Sequence, residues 1–249
     1  MTANTPTSGG TGEGSNGAIV QVSEYLEAGP VNRVALDLAA AIQRFGGNSK
    51  IVSGGGLMVA EAQRANVEHE TISISSVNPI GNPAGKIAGK LTEWDAQLVH
   101  SHGEDAAGLV IKAVGKHRVP HVVSLYDLPV RRNGKPTPGL QTALKGDRVL
   151  LASPFLQNLL SEAGYLHDVN ASVVPPGLAV NALHPSVVTA ARLTRMVRDM
   201  EITAQSPVII FPAALQDSAG HDAVIEALKQ HLDKTWVCLF IGVGQAERR

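Results

Sequence analysis

Cysteine is almost absent from this chain of 249 residues: Cys238 stands alone, and a single thiol excludes a disulfide framework. Its position inside the apolar run WVCLFIGV predicts a buried, inert side chain in a reducing compartment. An excess of either charge is missing too. Lys and Arg number 21 against 22 Asp and Glu, a formal net charge of −1, so the chain offers neither the basic field that nucleic acid requires nor a polybasic stretch for anionic lipid. No apolar run approaches the roughly 18 residues of a membrane span. The N-terminus lacks the basic and apolar regions of a signal peptide, and the expected location is the cytoplasm, including the inner face of the membrane as a peripheral protein. The first seventeen residues, MTANTPTSGGTGEGSNG, carry too little apolar surface to offset their ordering entropy and are expected to be a disordered tail.

What is present is ordinary globular composition, 44% apolar and 17% charged, enough for a sizeable core. From Ala18 onward, short apolar runs alternate with longer segments of helical period, the signature of a parallel sheet with crossover helices. The predicted strands are AIVQV, SKIVS, ETISI, QLVHS, HVVSL and RVLLAS, with ASVVP after them. Val31, Val34, Ala35, Leu38, Ile42 and Phe45 recur at the spacing of one helix face, and Gly46-Gly47 stops that helix. Ser153 before Pro154 reads as an N-cap with proline at the first helical position. The expected fold class is α/β, with a complete Rossmann-type doubly wound domain over residues 18–177 and a helical linker over 178–206. A partial second Rossmann-like domain over 207–249 follows, built from PVIIFPA, a helix capped by Asp217 or Ser218 and carrying Val224, Ile225 and Leu228, and WVCLFIG. A half-built α/β domain encloses no core, so its apolar strands are expected to seek cover on the first domain, a second copy or a partner.

Chemistry is sparser than fold. The first strand is followed by Ser23-Glu24-Tyr25-Leu26-Glu27-Ala28-Gly29-Pro30, not the GxGxxG of a dinucleotide site. There is no GxSxG, Walker loop or Cys-His pair. Gly29 precedes a helix whose first amides suit an anion, or it is a plain loop glycine before a helix-starting proline. Gly54-Gly55-Gly56 is open to the same two readings, close approach to a phosphate or a flexible turn. His100 and His102 end a strand at the carboxyl edge, where open parallel sheets bind ligands, and their two-residue spacing sends both side chains to one face. With only Glu104 or Asp105 nearby, no metal site is expected. Tyr126 and Asp127 end the next strand at the equivalent place, either as ligand contacts or as a rim tyrosine and a turn-capping carboxylate.

Several segments together resemble family 4 glycosyltransferases, particularly bacterial enzymes of envelope polysaccharide and lipopolysaccharide core. Ala28-Gly29-Pro30-Val31-Asn32-Arg33-Val34-Ala35-Leu36-Asp37-Leu38-Ala39 is similar to their Gly-Gly-Val-Glu-Arg loop and first helix. Leu98-Val99-His100-Ser101-His102 resembles "IVHAHS", and Gly146-Asp147-Arg148-Val149-Leu150-Leu151-Ala152-Ser153-Pro154-Phe155 resembles "GDRVIAVSEF". Val174-Pro175-Pro176-Gly177-Leu178 parallels "IPRGID", and Ala213 to Leu228 falls where the family reads "GRLTRWKGHDVLIEAL".

The resemblance implies a GT-B architecture, with the acceptor on the N-terminal domain and a nucleotide-sugar donor on the C-terminal one, and transfer with retention, without a bound metal or other cofactor. Leaving-group charge must then be met by cationic side chains and helix amides. Here the departures accumulate. The Arg and Lys that hold the diphosphate fall on Ala214 and Ala219, and the histidine that ends the fifth strand falls on Tyr126. The loop's second glycine falls on Pro30, which has no amide hydrogen. The arginine of "PRG" falls on Pro176, and the paired-glutamate motif lies beyond residue 249. Losing one preorganised contact to a transition state costs roughly 3–4 kcal/mol, so an impaired or inactive transferase is expected. Its ligands would be a nucleotide-sugar and a glycan or lipid-linked acceptor. The alternative is a non-catalytic module that self-associates or docks on a partner glycosyltransferase. If catalysis survives, the candidates are Gly29, His100 or His102, and Tyr126, then Arg33.

Overall fold

The computed structural model describes residues 17–74, 81–115, 119–127, 136–180, 184–203, 207–215, 219–230, 236–242 and 244. Most of the expected tail and the expected helix cap at Asp217 or Ser218 lie outside these residues. The chain divides into two compact units, Met1–Leu178 and Ala179–Arg249.

The first unit is a seven-stranded sheet in the order β3-β2-β1-β4-β5-β6-β7, with every pairing parallel. Its strands are β1 (Ala18–Ser23), β2 (Ser49–Ser53), β3 (Glu68–Thr71), β4 (Ala96–His102), β5 (His121–Leu125), β6 (Arg148–Leu151) and β7 (Ala171–Val173). The connecting helices are α1 (Pro30–Arg44), α2 (Val59–Arg64), α3 (Pro83–Glu93), α4 (Glu104–Val114), α5 (Leu140–Ala143) and α6 (Pro154–Glu162). Parallel strands need such crossovers, and the helices cover the apolar faces they leave. The order runs outward from β1 to β3 in one direction and from β4 to β7 in the other. The chain therefore reverses between β1 and β4, and loops part there at the carboxyl edge.

Alternation sorts the strand side chains. Val20, Val22 and Val99 pack with Ile87, Leu91, Trp94, Leu109 and Val110 in one core cluster. Leu26, Leu36, Ala39, Ile51, Ala62 and Val67 form a second. Val123, Leu125, Val149, Leu151, Leu156 and Leu160 form a third. Ser153 caps α6 as expected, its Oγ accepting from the Leu156 amide at 3.2 Å. Strand β3 differs from the predicted ETISI: it covers Glu68–Thr71, and Ile72 and Ile74 are buried beyond its end. The reason is its edge position, where polar side chains suffice. Lys50 on β2 pairs with Glu68 across the strands, and Glu68 also accepts from the Trp94 indole at 3.0 Å. Lys50 and Lys90 lie 5.6 and 5.4 Å from the Trp94 ring centroid, a cation on either contact.

The triple glycine proves to be a clasp. The Gly54 amide donates to Glu24 O at 2.9 Å, Leu26 donates to Gly55 O at 2.8 Å, and Met58 donates to Leu26 O at 2.8 Å. A Cβ on Gly56 would sit 2.5 Å from the Leu26 oxygen, at a φ of 140°, so only glycine fits. The Gly54 and Gly55 amides are consumed within the fold, which answers the phosphate reading of this segment.

The second unit holds a 3₁₀ turn (Pro185–Val187), α7 (Ala190–Asp199), β8 (Val208–Pro212), α8 (His221–Lys229) and β9 (Val237–Ile241). Strands β8 and β9 pair in parallel, and Phe211, His221 and Phe240 make an aromatic cluster with centroids 5.1 to 5.9 Å apart. No residue of α7, β8, α8 or β9 is buried. Cys238 was expected to be buried and is instead half-buried, because among the described residues β8 and β9 are incompletely covered.

Core and periphery should respond differently to truncation. Leu160→Ala, at a side chain 1% exposed, is expected to lower unfolding free energy by about 2–5 kcal/mol. Leu193→Ala on α7, 51% exposed, should stay within about 0.5 kcal/mol. Urea titration of both variants checks the contrast.

Candidate functional site

The point of reversal between β1 and β4 opens into a cavity of about 350 Å³. Ser23 and Glu24 reach it from the end of β1, His102 and Gly103 from the end of β4, and Leu125, Tyr126 and Asp127 from the end of β5. Val31 and Asn32 line it from the first turn of α1, Glu104 and Asp105 from the first turn of α4, and Thr137 from the segment before α5. Gly103 makes the turn from β4 into α4 at a φ of 90°, where a side chain would strain the backbone. Its amide donates to Ser124 O at 2.9 Å and ties this turn to β5.

Behind the cavity lies a row of polar side chains where an ordinary parallel strand would be apolar. Gln21 on β1, His100 and His102 on β4 and Ser124 on β5 are all buried. His102 Nδ1 is 2.7 Å from the Tyr126 hydroxyl and its Nε2 is 2.9 Å from Gln21 Oε1. His100 Nε2 is 2.8 Å from Ser124 Oγ, and the two imidazoles stand 4.2 Å apart between centroids. On the opposite face His121 Nε2 is 2.8 Å from Ser101 Oγ, and the His121 amide donates to Asp147 at 2.7 Å. Burial and the neighbouring His121 bring the His100 pKa down to about 4. Burial first, and His100 second, hold His102 well below the ordinary imidazole value. Burial lowers His121 to about 4 against the opposing pull of Asp147. All three rings are neutral near pH 7.

The cavity walls are acidic. Burial, then the nearby Asp105 charge, raises the Glu24 pKa. Burial also raises Glu104, opposed by the Thr137 hydroxyl that donates to it. Tyr126 is raised by burial, with the Ser124 hydroxyl acting the other way. Asn32 is fixed at the mouth: its Oδ1 accepts from Ser23 Oγ at 2.9 Å and its Nδ2 donates to Glu27 O at 3.1 Å. Among the described residues lining the cavity there is no Lys or Arg.

Of the sequence candidates, His102, Tyr126 and Asp127 line the cavity. His100 sits one layer behind, bonded to Ser124. Gly29 is the extended residue before α1, with φ 179°, and stands outside the lining. Arg33 is engaged elsewhere: Asp37 and Glu61 hold its guanidinium and keep it protonated well above its usual range. No group of three or more His, Cys, Asp or Glu able to hold a metal ion occurs among the described residues, and the nitrogens of His102 are both bonded within the protein. Ala214 lies just past the end of β8, and Ala219 precedes Gly220, the residue that caps α8. Sequence reasoning missed Gln21, whose signal was one polar residue inside AIVQV, and Asn32, Glu24 and Thr137, whose convergence depends on the sheet order.

Comparison with known proteins bears on this arrangement. Residues 30–181 match the family model described as Glycosyltransferase Family 4. No curated protein sequence matches. A glycosyltransferase from Rickettsia africae has a similar structure, with 21% identity over 90% of this chain and 60% of that one, at a TM-score of 0.69. HepE of Anabaena in complex with UDP-glucose is similar at 14% identity over 93% of this chain and 62% of that one, TM-score 0.76. The lipopolysaccharide outer core galactosyltransferase WaaB is similar at 12% identity over 92% and 61%, TM-score 0.55. The chain thus spans about 60% of the length of these structures.

The buried imidazoles make stability depend on pH. A histidine with a depressed native pKa binds its proton more readily when unfolded, so stability is full above the unfolded value of 6.5 and falls as pH drops from 6.5 toward 4. For His100 and His121, native values of about 4 correspond to a loss of about 3 kcal/mol each. Urea midpoints measured from pH 7.5 to 4.5 are expected to decline through this window, and His121→Gln should flatten the decline.

Proposed function

The chain belongs to glycosyltransferase family 4, and from that premise we propose that its first unit is the acceptor side of a nucleotide-sugar-dependent transferase of envelope glycans, with donor chemistry impaired. The observation that carries the acceptor assignment is the cavity at the strand reversal, where His102 and Tyr126 meet at 2.7 Å beneath an acidic lining with no Lys or Arg among the described residues. In the α/β fold shared with GT-B glycosyltransferases, this is the carboxyl edge of the N-terminal sheet, where an acceptor hydroxyl would be held by oxygen and imidazole acceptors.

Transfer replaces the bond between the anomeric carbon and the diphosphate with a bond to the acceptor oxygen. The departing diphosphate gathers charge and the acceptor hydroxyl gives up its proton. His102 is neutral and Tyr126 is held protonated, so this pair orients a hydroxyl and supports no full positive charge beside it. The family's Arg and Lys fall at Ala214 and Ala219, and a methyl side chain stabilises no developing phosphate charge. The donor reading draws on the likeness to HepE, which binds UDP-glucose.

Calorimetric titration with UDP-glucose is expected to show no micromolar binding to the unmodified chain, and at least a tenfold gain in affinity for the Ala214→Arg/Ala219→Lys variant. Micromolar binding without the substitutions would refute the impairment.

A second reading, an interaction module that self-associates or docks on a partner glycosyltransferase, is favoured by the second unit. Ile210 is 58% and Ile241 50% exposed on β8 and β9, apolar side chains on paired strands that a partner could cover. Light scattering should then show dimers or larger species, dissociated by Ile210→Lys. A monodisperse monomer at micromolar concentration would end this reading.

A further inference from the structure

Gln21 is wholly buried, yet its Nε2 has no hydrogen-bond partner among the described residues. Leaving an amide donor unpaired in a core costs free energy, and the β1 position is otherwise flanked by Val20 and Val22. The fold alone would be served better by a leucine or methionine there. What Gln21 does provide is its oxygen, 2.9 Å from His102 Nε2. That contact is one link in a longer chain: His100 Nε2 to Ser124 Oγ at 2.8 Å, Ser124 to Tyr126, Tyr126 to His102 Nδ1 at 2.7 Å, and His102 Nε2 to Gln21.

A carbonyl oxygen can only accept, so a neutral His102 must carry its one proton on Nε2, and its Nδ1 must accept. The Tyr126 hydroxyl then spends its proton on His102. The Ser124 hydroxyl donates to the same phenolic oxygen, consistent with its lowering influence on Tyr126, and His100 Nε2–H donates to Ser124. Every proton points from His100 toward Gln21, the arrangement in which successive hydrogen bonds polarise one another. Turning the Gln21 amide over would move the His102 proton to Nδ1, make Tyr126 accept from His102, and free the phenolic proton for Ser124 or for a ligand in the cavity.

We propose that Gln21 is a positioning residue that fixes the direction of this chain, so that Tyr126 meets the cavity as a hydrogen-bond acceptor and the ligand there must donate, as a sugar or polyol hydroxyl does. The inference rests on the acceptor-site reading and deepens it. The walls agree: Glu24, Glu104, Asp105 and Asp127 add carboxylate acceptors, and no Lys or Arg lines the cavity among the described residues. Arg131, Arg132 and Lys135 belong to the sequence and lie outside those residues. A ligand rich in donors and poor in anionic groups matches such a surface; a phosphate does not.

The test begins with the full chain labelled with ¹⁵N. Two-bond proton–nitrogen correlation spectra are expected to show His102 as the Nε2–H tautomer at pH 7. The Nδ1–H tautomer would overturn the proposal without any substitution. In Gln21→Met, the tautomer preference should be lost while the backbone amide spectrum keeps its dispersion; unchanged tautomer in a folded variant also overturns it. Glucose then serves as the probe ligand. It is expected to shift resonances of residues 102–105 and 126–127, with at least tenfold weaker binding in Tyr126→Phe. Glucose binding at the cavity that ignores Tyr126→Phe sinks the proposal and leaves the acceptor site standing. Failure of glucose to perturb these resonances removes the acceptor-site reading itself.

Discussion

Polar side chains in the middle of a parallel sheet must find partners within the sheet, because helices cover both faces and water does not reach the strands. His100, His102, Ser124 and the Gln21 oxygen meet this constraint by bonding one another across β1, β4 and β5 and by recruiting the Tyr126 hydroxyl, and the Gln21 Nε2 is the exception. The register that pairs Gln21 with His100 and Ser23 with His102, and His102 with Ser124, is therefore fixed by side chains as well as by the backbone ladder. A one-residue slip would turn these groups to the face occupied by Val20, Val22 and Val99. The polar row also explains why the imidazoles are uncharged: a proton on any of them would lie in the core with no carboxylate to answer it, apart from Asp147 near His121.

Much of this was legible in the chain. Six of the seven strands of the first sheet were marked by apolar runs bounded by glycine or polar turns, and their parallel direction followed from the crossover helices between them. Strand β3 was misjudged because an edge strand is stabilised by charged pairs such as Lys50 with Glu68 and shows weak apolar pattern. The paired histidines and Tyr126 were legible because strand ends recur at one edge. Glu24 and Thr137 were not, since more than a hundred residues separate them and only the sheet order brings them to one cavity. Arg33 looked like a site residue from its motif, and its i,i+4 relation to Asp37 was visible, but Glu61 reaches it from α2 only in three dimensions.

Family membership fixes the fold more firmly than the reaction. At 12% to 21% identity to the structures compared, backbone architecture survives while individual charges drift, because a core tolerates substitution that keeps its volume and pattern, whereas a phosphate contact tolerates none that removes its charge. The two halves of the chain illustrate the difference. The first unit keeps its buried core clusters, and in the function proposed above the second has alanine, Ala214 and Ala219, where cations would be needed.

The indole of Trp94, held between Lys50, Lys90 and the Glu68 carboxylate, has one counterpart in the whole sequence, Trp236, which precedes β9 in the other unit. Each unit thus owns a single tryptophan. The emission of the first is tuned by two ammonium groups at the sheet edge and that of the second by the surroundings of a half-covered strand. Loosening of either unit therefore has its own optical signature, and because Trp94 packs in the core cluster and is not among the residues lining the cavity, its signal follows the integrity of the sheet rather than events at the strand reversal.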